Sequence, residues 1–323
     1  METTVSGVSN WKLTVRREAE GVTVLRAVTC DTAAVLPDAL FDLPVTALGG
    51  HALASDARET QGEAVTVTGA PRKAEWDNRN LQALTLPRTL LRVGNYAFLN
   101  CGRLQTLTLF DNIEMWGGSV FMNCRLLDTF RLTRERVGQG ETLAYLNDVL
   151  TGELDITVTE ADGRTARYLF PDYWESYEEN CPAHLFHLEI SGAGYPYHHC
   201  FTQKKFDPAA YDRLWEGFLR MAHEDKAALR IAWYRLRYPL GLRPEAEAQY
   251  LTYLRAHAAE ALRWRLAERD AEGLRFLLRR TEPAPALLAE ACALARERGN
   301  TQAVALLLEA QHRHTPARKT FDL

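Results

Sequence analysis

A 23-residue repeat is the sequence feature that most constrains how this chain can fold. Residues 81–103, LQALTLPRTLLRVGNYAFLNCGR, align without gaps on residues 104–126, LQTLTLFDNIEMWGGSVFMNCRL. Leucines, a phenylalanine and an Asn-Cys pair fall at equivalent positions, and a third copy runs from Leu127 to about Thr133. One unit of this length cannot bury its apolar side chains alone. The repeat therefore predicts a stack of similar coils.

Each unit begins with the pattern L-x-x-L-x-L, which predicts a short strand whose alternate side chains point to opposite sides. Leu84, Leu107 and Phe130 should then form one buried column. The intervening residues face outward and give a flat sheet that can accept a partner strand or helix. These candidate binding residues are Thr85, Thr106, Thr108, Phe110, Thr129 and Arg131. The alternative is that threonine occurs there only because it favours exposed strands.

The motif L-x-x-L-x-L-P, followed by an apolar-Gly step and A-F-x-N-C, resembles the BspA-type leucine-rich repeat. Upstream, Leu36-Pro37 and Ala47-Leu48-Gly49 match the same pattern, with Leu53 where the family usually has phenylalanine. The resemblance covers roughly residues 20–133 and implies protein recognition without catalysis. It places a leucine-rich repeat domain at residues 1–137.

Two segments flank or interrupt this array. Residues 11–28 predict two strands around Glu20-Gly21 that would cap its first coil. Residues 54–80 are polar and rich in turn formers. They are interpreted as a loop, with an ordered excursion as the alternative.

A small β-rich module is predicted at residues 138–205. It should contain a short helix over 141–150 and two strands around the Asp162-Gly163 turn. The carboxylates of Asp172, Glu175, Glu178 and Glu179 are interpreted as one solvated helix face.

Residues 206–323 predict an all-α helical-repeat region. Asp207 and Pro208 have the residue types of an N-cap and a first helical position. Segments beginning at Glu260 and Glu290 align as two helical pairs. They look like degenerate ankyrin repeats, although generic helical hairpins fit nearly as well. The arginines of this region, from Arg263 to Arg280, are interpreted as a solvated surface. The predicted fold class is therefore α+β.

Five side chains have a spacing that could hold zinc. They are Cys181, His184, His187, His198 and Cys200. A structural role is the alternative, because adjacent His198 and His199 in an extended segment point to opposite faces. Cys101 and Cys124 occupy equivalent coil positions and are expected to be buried, unreactive thiols.

Composition and motifs exclude several functions. The chain has 38 basic and 42 acidic residues, a net charge of −4, so the basic stripe expected of a nucleic-acid-binding protein is not predicted. No apolar run is long enough for a membrane span, and residues 1–21 lack an export signal, which favours the cytoplasm. No nucleotide-binding or hydrolase motif occurs, so neither cofactor nor enzymatic activity is predicted.

These observations lead to a non-catalytic adaptor with a protein partner. The alternatives are a metal-dependent module or enzyme centred on residues 165–205, and an exported surface binder.

Overall fold

The computed structural model describes residues 3–56, 59–69, 75–136, 141–180 and 185–314. The chain divides into two compact units, Met1–Ala222 and His223–Leu323. The first unit holds all the described strands, and the second is helical.

The strands of the first unit begin in the N-terminal region and end shortly before its last helices. They are β1 (Thr3–Ser6), β2 (Trp11–Glu18), β3 (Gly21–Thr29), β4 (Ala33–Val35), β5 (Ala39–Leu40), β6 (Leu43–Leu48), β7 (Glu63–Thr68), β8 (Ala83–Thr85), β9 (Arg92–Val93), β10 (Thr106–Phe110), β11 (Met115–Trp116), β12 (Thr129–Thr133), β13 (Leu154–Thr159), β14 (Thr165–Phe170), β15 (Trp174–Asn180), β16 (Leu185–Ser191), β17 (Phe201–Thr202) and β18 (Lys205–Phe206).

The helices of the first unit are α1 (Thr142–Val149), α2 (Tyr195–His198), α3 (Pro208–Arg213) and α4 (Trp215–Arg220), with a 3-10 turn at Asn78–Asn80. Those of the second unit are α5 (Asp225–Arg237), α6 (Pro244–Ala256), α7 (Ala258–Ala267), α8 (Ala271–Thr281), α9 (Pro285–Glu297) and α10 (Thr301–His314).

The predicted leucine column lies inside a sheet whose described strands have the order β14-β13-β12-β10-β8-β4. Leu84 pairs with Leu107, and Leu107 pairs with Phe130, all in parallel register. Ala34 of β4 continues this column on one side and Ile156 of β13 on the other. All five side chains are buried. The parallel register therefore places equivalent residues of successive repeats in one core.

A second sheet receives the other half of each repeat. Its described strands have the order β1-β7-β2-β3-β6-β9-β11, with β5 paired to β6. The predicted hairpin around Glu20-Gly21 is confirmed, because β2 and β3 pair antiparallel up to Glu18 and Gly21. Trp11 of this hairpin is buried, and its Nε1–H donates to the Val35 carbonyl oxygen at 2.8 Å. The hairpin is thus fixed to the edge strand β4 of the first sheet.

The apolar-Gly step forms a ladder between consecutive repeats. The N–H groups of Gly49, Gly94 and Gly117 donate to the carbonyl oxygens of Val24, Leu48 and Val93, each at 2.8 Å. An added Cβ atom would lie 2.5 Å from a backbone nitrogen at Gly94 and 2.4 Å from one at Gly117, which leaves no room for it, whereas at Gly49 it would make a tight contact of 3.3 Å.

The cysteines of the A-F-x-N-C motif form a second ladder. The Cys101 S–H donates to the Leu53 carbonyl oxygen at 3.2 Å, and that of Cys124 to the Phe98 carbonyl oxygen at 3.0 Å. Both thiols are buried, as predicted. Each cysteine therefore fastens its repeat to the preceding one.

The interpretation of residues 54–80 as a loop is wrong for part of that segment. Residues Glu63–Thr68 form β7, which pairs antiparallel with β2 and parallel with β1. Further along, buried Asn78 donates to the carbonyl oxygens of Ala27 and Leu53 and accepts from the Thr29 N–H. The segment is held because its alternating Val65 and Val67 are buried against the hairpin.

The middle region also differs from expectation. The predicted strands around Asp162-Gly163 are present, but β13 pairs in parallel with β12 and so extends the repeat sheet beyond Thr133. Helix α1 lies within the connection, which breaks the 23-residue spacing and hides the continuation from sequence comparison. The acidic segment predicted as a helix face is strand β15 instead. Its antiparallel partner β16 supplies the hydrogen bonds that an isolated strand lacks.

The helical segments were predicted mainly from caps and prolines. Asp207 caps α3 by accepting from the Ala209 N–H at 2.9 Å, as predicted. The helix expected to follow breaks at Leu214 into α3 and α4. The division after Ala222 places both in the first compact unit.

In the second unit, the two aligned segments form the pairs α7–α8 and α9–α10. The side chain of Asp270 accepts from the Gly273 N–H at the first turn, and that of Asn300 accepts from the Ala303 N–H at the second.

Arg265 does not belong to the solvated surface predicted for this region. Its guanidinium lies 3.4 Å from the Trp264 ring centroid and pairs with Asp270 at 2.8 Å. The side chain is buried because the two tryptophans Trp233 and Trp264 cover it. Burial lowers the pKa of the guanidinium, and Asp270 opposes that effect.

Replacing Gly94 by alanine should destabilise the first unit by about 2–3 kcal/mol. The added Cβ would lie 2.5 Å from the Gly50 nitrogen and 2.6 Å from the Gly49 carbonyl carbon, both backbone atoms that cannot move independently. Urea unfolding of the full chain followed by circular dichroism measures the change. Gly118→Ala is the matched control, because its Cβ would meet nothing closer than Asn95 Oδ1 at 3.9 Å. Equal stability of the two variants would contradict the ladder.

Candidate functional site

The six candidate binding residues lie on one side of the first sheet. Thr106, Thr108 and Phe110 alternate with buried leucines along β10, so their side chains share the outer face. Thr108 pairs with Thr85 on one neighbour and Arg131 on the other. Thr106 pairs with Thr129 in the adjacent row, which completes the predicted set. The threonines and Phe110 are half-buried and Arg131 is exposed.

Strand β13 adds residues that sequence comparison missed to this face. The Arg167 guanidinium binds Asp155 through two contacts of 2.7 Å. Thr157 lies beside Arg131 in the register. The outer face is therefore wider than the repeat alone predicted, with a hydrogen-bonded ion pair on its far side.

Ion pairs also fix the end of this face. Arg134 follows β12, and its guanidinium contacts Asp111 at 2.8 Å and Glu160 at 3.0 Å. Burial disfavours its charge, but the two carboxylates outweigh burial and raise its pKa overall. Asp111 is itself buried and also accepts from the Thr142 N–H at 3.3 Å. The loops beside Phe110 are thereby held in place.

A cleft of about 620 Å³ opens elsewhere in the first unit, between β11 and α1. Met115 and Trp116 line one wall, and Ala144, Tyr145 and Asp148 line the other. The Trp116 and Tyr145 rings stack with centroids 4.4 Å apart and an interplanar angle of 13°. The volume falls within the range of pockets that bind ligands.

Acidic groups dominate the charge of this cleft. Glu114, Glu141 and Asp148 line it together with His198, His199 and Lys204, and Lys204 is paired with Glu141 at 3.1 Å. The pKa of Tyr145 is raised to about 12, first by burial and then by the Asp148 carboxylate. The cleft therefore combines aromatic surface with negative charge.

The sequence contains one signal for this cleft. Trp116 occupies the repeat position held by Val93, and Tyr145 lies on the helix predicted just after the repeat. A large aromatic at a repeat position otherwise occupied by valine requires a partner beyond the last coil. Only the structure identifies that partner as α1.

The five candidate zinc ligands lie in different parts of the structure or outside the described residues. Cys181 and His184 lie outside the described residues. His187 is exposed on β16, opposite Glu178. Among the residues that the structure describes, no group of three or more histidine, cysteine, aspartate or glutamate side chains could hold a metal ion. The zinc hypothesis stays a prediction.

His198 and Cys200 have local roles instead. The His198 ring is buried, with Nε2 2.9 Å from the Pro171 carbonyl oxygen and Nδ1 3.3 Å from that of Asn147. Burial lowers its pKa. The Cys200 S–H donates to the Tyr197 carbonyl oxygen at 2.9 Å, and burial raises its pKa to about 12.

Comparison with known proteins assigns the repeat. Residues 72–145 match the family model described as the BspA type leucine-rich repeat region, in six copies. This part of the chain is similar to BspA-type leucine-rich repeats, as the sequence motif indicated. Proteins with leucine-rich repeats generally mediate protein–protein interaction and are typically non-catalytic. The ankyrin-like character of the C-terminal region is not confirmed and stays a prediction.

Among solved structures, a crystal structure of a leucine-rich repeat protein from T. pallidum is similar to this chain. The two share 17% sequence identity over 37% of this chain and 68% of that one, with a TM-score of 0.22. None of the curated proteins matches the chain.

Within the described ranges, no helix combines the length and the hydropathy that crossing a bilayer requires.

The thiols of Cys124 and Cys200 should resist alkylation in the native protein. Burial raises the pKa of each to about 12, so almost no reactive thiolate is present at about pH 8. We expect labelling by iodoacetamide to be at least ~30-fold slower than in concentrated urea, measured by mass spectrometry of the modified peptides. Labelling of native Cys200 at the unfolded rate would contradict the buried thiol.

Proposed function

We propose that this chain is a non-catalytic scaffold for protein–protein interaction that binds a protein partner through the outer face of its first sheet. In this proposal residues 1–137 form a leucine-rich-repeat solenoid of 23-residue coils, residues 138–205 a connecting module, and residues 206–323 a helical repeat region. The compactness of Met1–Ala222 favours a later start for the helical region than residue 206.

The observation that carries the proposal is the continuous outer face on β8, β10, β12 and β13. Four parallel strands present half-buried threonines in register, which gives a flat surface with short side chains. Such side chains lose little conformational entropy when a partner covers them. The exposed Arg131 and the half-buried Phe110 supply the residue types that most often dominate binding energy.

The adaptor hypothesis assigns a second surface to the helical tail. Its pairs α7–α8 and α9–α10 stack apolar faces against each other and turn arginine and glutamate side chains outward. The cytoplasmic location and the absence of nucleic-acid binding stay predictions.

Photo-crosslinking from the sheet face tests the proposal. A benzophenone amino acid placed at Thr108 or Thr129 should crosslink the same proteins, because the two positions lie on adjacent strands of one face. The control places it at Arg16, an exposed position of β2 in the other sheet.

The double variant Thr108→Glu, Arg131→Glu should then reduce recovery of those proteins at least about tenfold, since it reverses one charge and adds another at the centre of the face. Circular dichroism should show an unchanged fold, because neither side chain is buried. Identical crosslinked proteins from Thr108 and Arg16, or unchanged recovery by the variant, would count against this face.

A further inference from the structure

Within the described residues, the last strand of the second sheet has one edge that no other strand covers. Among the described strands, β11 pairs only with β9. The N–H groups of Met115 and Gly117 donate to the carbonyl oxygens of Leu91 and Val93, at 3.2 and 2.8 Å. Successive residues of a strand direct their backbone groups to opposite sides. The N–H and C=O of Trp116 therefore point away from β9.

This edge borders the cleft described above. Met115 and Trp116 form one wall of the cleft and helix α1 forms the other. Tyr145 of α1 stacks on the Trp116 ring and its hydroxyl donates to the Gly117 carbonyl oxygen at 3.4 Å, and the cleft opens beside this contact. An open strand edge beside a groove is the arrangement in which an extended peptide adds a strand to a sheet. The backbone of such a peptide would bond to Trp116.

The charge of the cleft indicates which charge a bound peptide should carry. Glu114 and Asp148 are exposed, and within the described part of the chain neither carboxylate has an ion-pair partner. Lys204 is already paired with Glu141. The buried His198 has a lowered pKa and so adds little positive charge at neutral pH. The cleft is therefore complementary to a cation.

Aromatic surface points to the same ligand class. Trp116 and Tyr145 stack against each other and both line the cleft. Tryptophan and tyrosine faces attract guanidinium and ammonium groups, most strongly where water is excluded. The Asp148 carboxylate acts on the Tyr145 hydroxyl, so negative charge and ring surface lie close together.

We propose that this cleft binds an extended, positively charged segment of a partner protein. The segment adds to β11 as a strand, and one of its arginine or lysine side chains reaches past the stacked Trp116 and Tyr145 rings toward Asp148. This site is separate from the outer sheet face and does not rest on the proposed function, since neither Thr108 nor Arg131 lines the cleft.

Peptide binding to the full chain tests the proposal. The probe is a fluorescein-labelled seven-residue peptide, GTVRVTG, with fluorescence anisotropy as the readout. Replacing its arginine by citrulline keeps the shape but removes the charge and should weaken binding about tenfold. Replacing it by glutamate should abolish binding, because the unpaired carboxylates repel it.

Backbone methylation tests strand addition independently of charge. A peptide strand uses the N–H groups of alternate residues on the side that faces β11. Two peptides are compared, one methylated on the odd-numbered backbone nitrogens and the other on the even-numbered ones. The peptide whose methyl groups face β11 should lose binding, and the other should retain it. Equal affinity of both methylated peptides would overturn strand addition.

Variants of the protein locate the site. Asp148→Asn should weaken the arginine peptide severalfold, and Asp172→Asn, an equal charge change at an exposed position outside the cleft, should not. Ala144→Lys should abolish binding by filling the cleft with a cation. Arg131→Glu should leave peptide affinity unchanged, which separates this site from the outer sheet face.

Three further results would overturn the proposal. The first is that the arginine peptide does not bind at concentrations on the order of 1 mM. The others are equal affinity for the arginine and glutamate peptides, and equal effects of Asp148→Asn and Asp172→Asn.

Discussion

Lateral stacking of short parallel strands is the constraint on which the rest of the first unit depends. A strand of three to five residues has too few hydrogen bonds and too little apolar surface to persist alone. In register with its neighbours, Leu107 lies between Leu84 and Phe130 and loses all contact with water. Burial of such a side chain stabilises the fold by about 2–3 kcal/mol. The stack is therefore cooperative from strand to strand.

Stacking creates ends, and each end of this array is covered differently. On the N-terminal side, the indole N–H of Trp11 in the β2–β3 hairpin donates to the carbonyl oxygen of Val35 in edge strand β4. Strand β7 pairs with β2 and so widens the second sheet. On the other side, β13 and β14 continue the first sheet, whereas the second sheet stops at β11. The two sheets thus end at different places, and the cleft beside α1 results from that difference.

The surfaces proposed for binding follow from the same stacking. Because buried and outward residues alternate along each strand, the register that buries the leucines also aligns Thr85, Thr108 and Arg131. Binding through this face requires no change in the core. The cleft requires none either, since the hydrogen bonds of Met115 and Gly117 on the β9 side direct the backbone groups of Trp116 outward. Both sites use surfaces that the fold has already positioned.

Local patterns in the sequence were sufficient for the repeat, the buried column, the outward face and most helix starts. Each depends on residues close in the chain: the alternation of β10, the Asp207 cap, or the glycine that permits close approach. The helix predicted for the acidic segment was wrong because hydrogen bonds to β16 outweigh a weak local preference.

Pairings between distant segments were decided only by the tertiary structure. Strand β7 forms because β2 offers it an open edge and a place to bury two valines. Strand β13 joins the sheet after a helix that erases the repeat spacing. The cleft exists because Tyr145 packs on Trp116 where another coil would otherwise lie. The periodicity of apolar residues in the sequence shows which face of a strand or helix is buried. Which other segments that strand or helix pairs with depends on the edges that the folded chain leaves free.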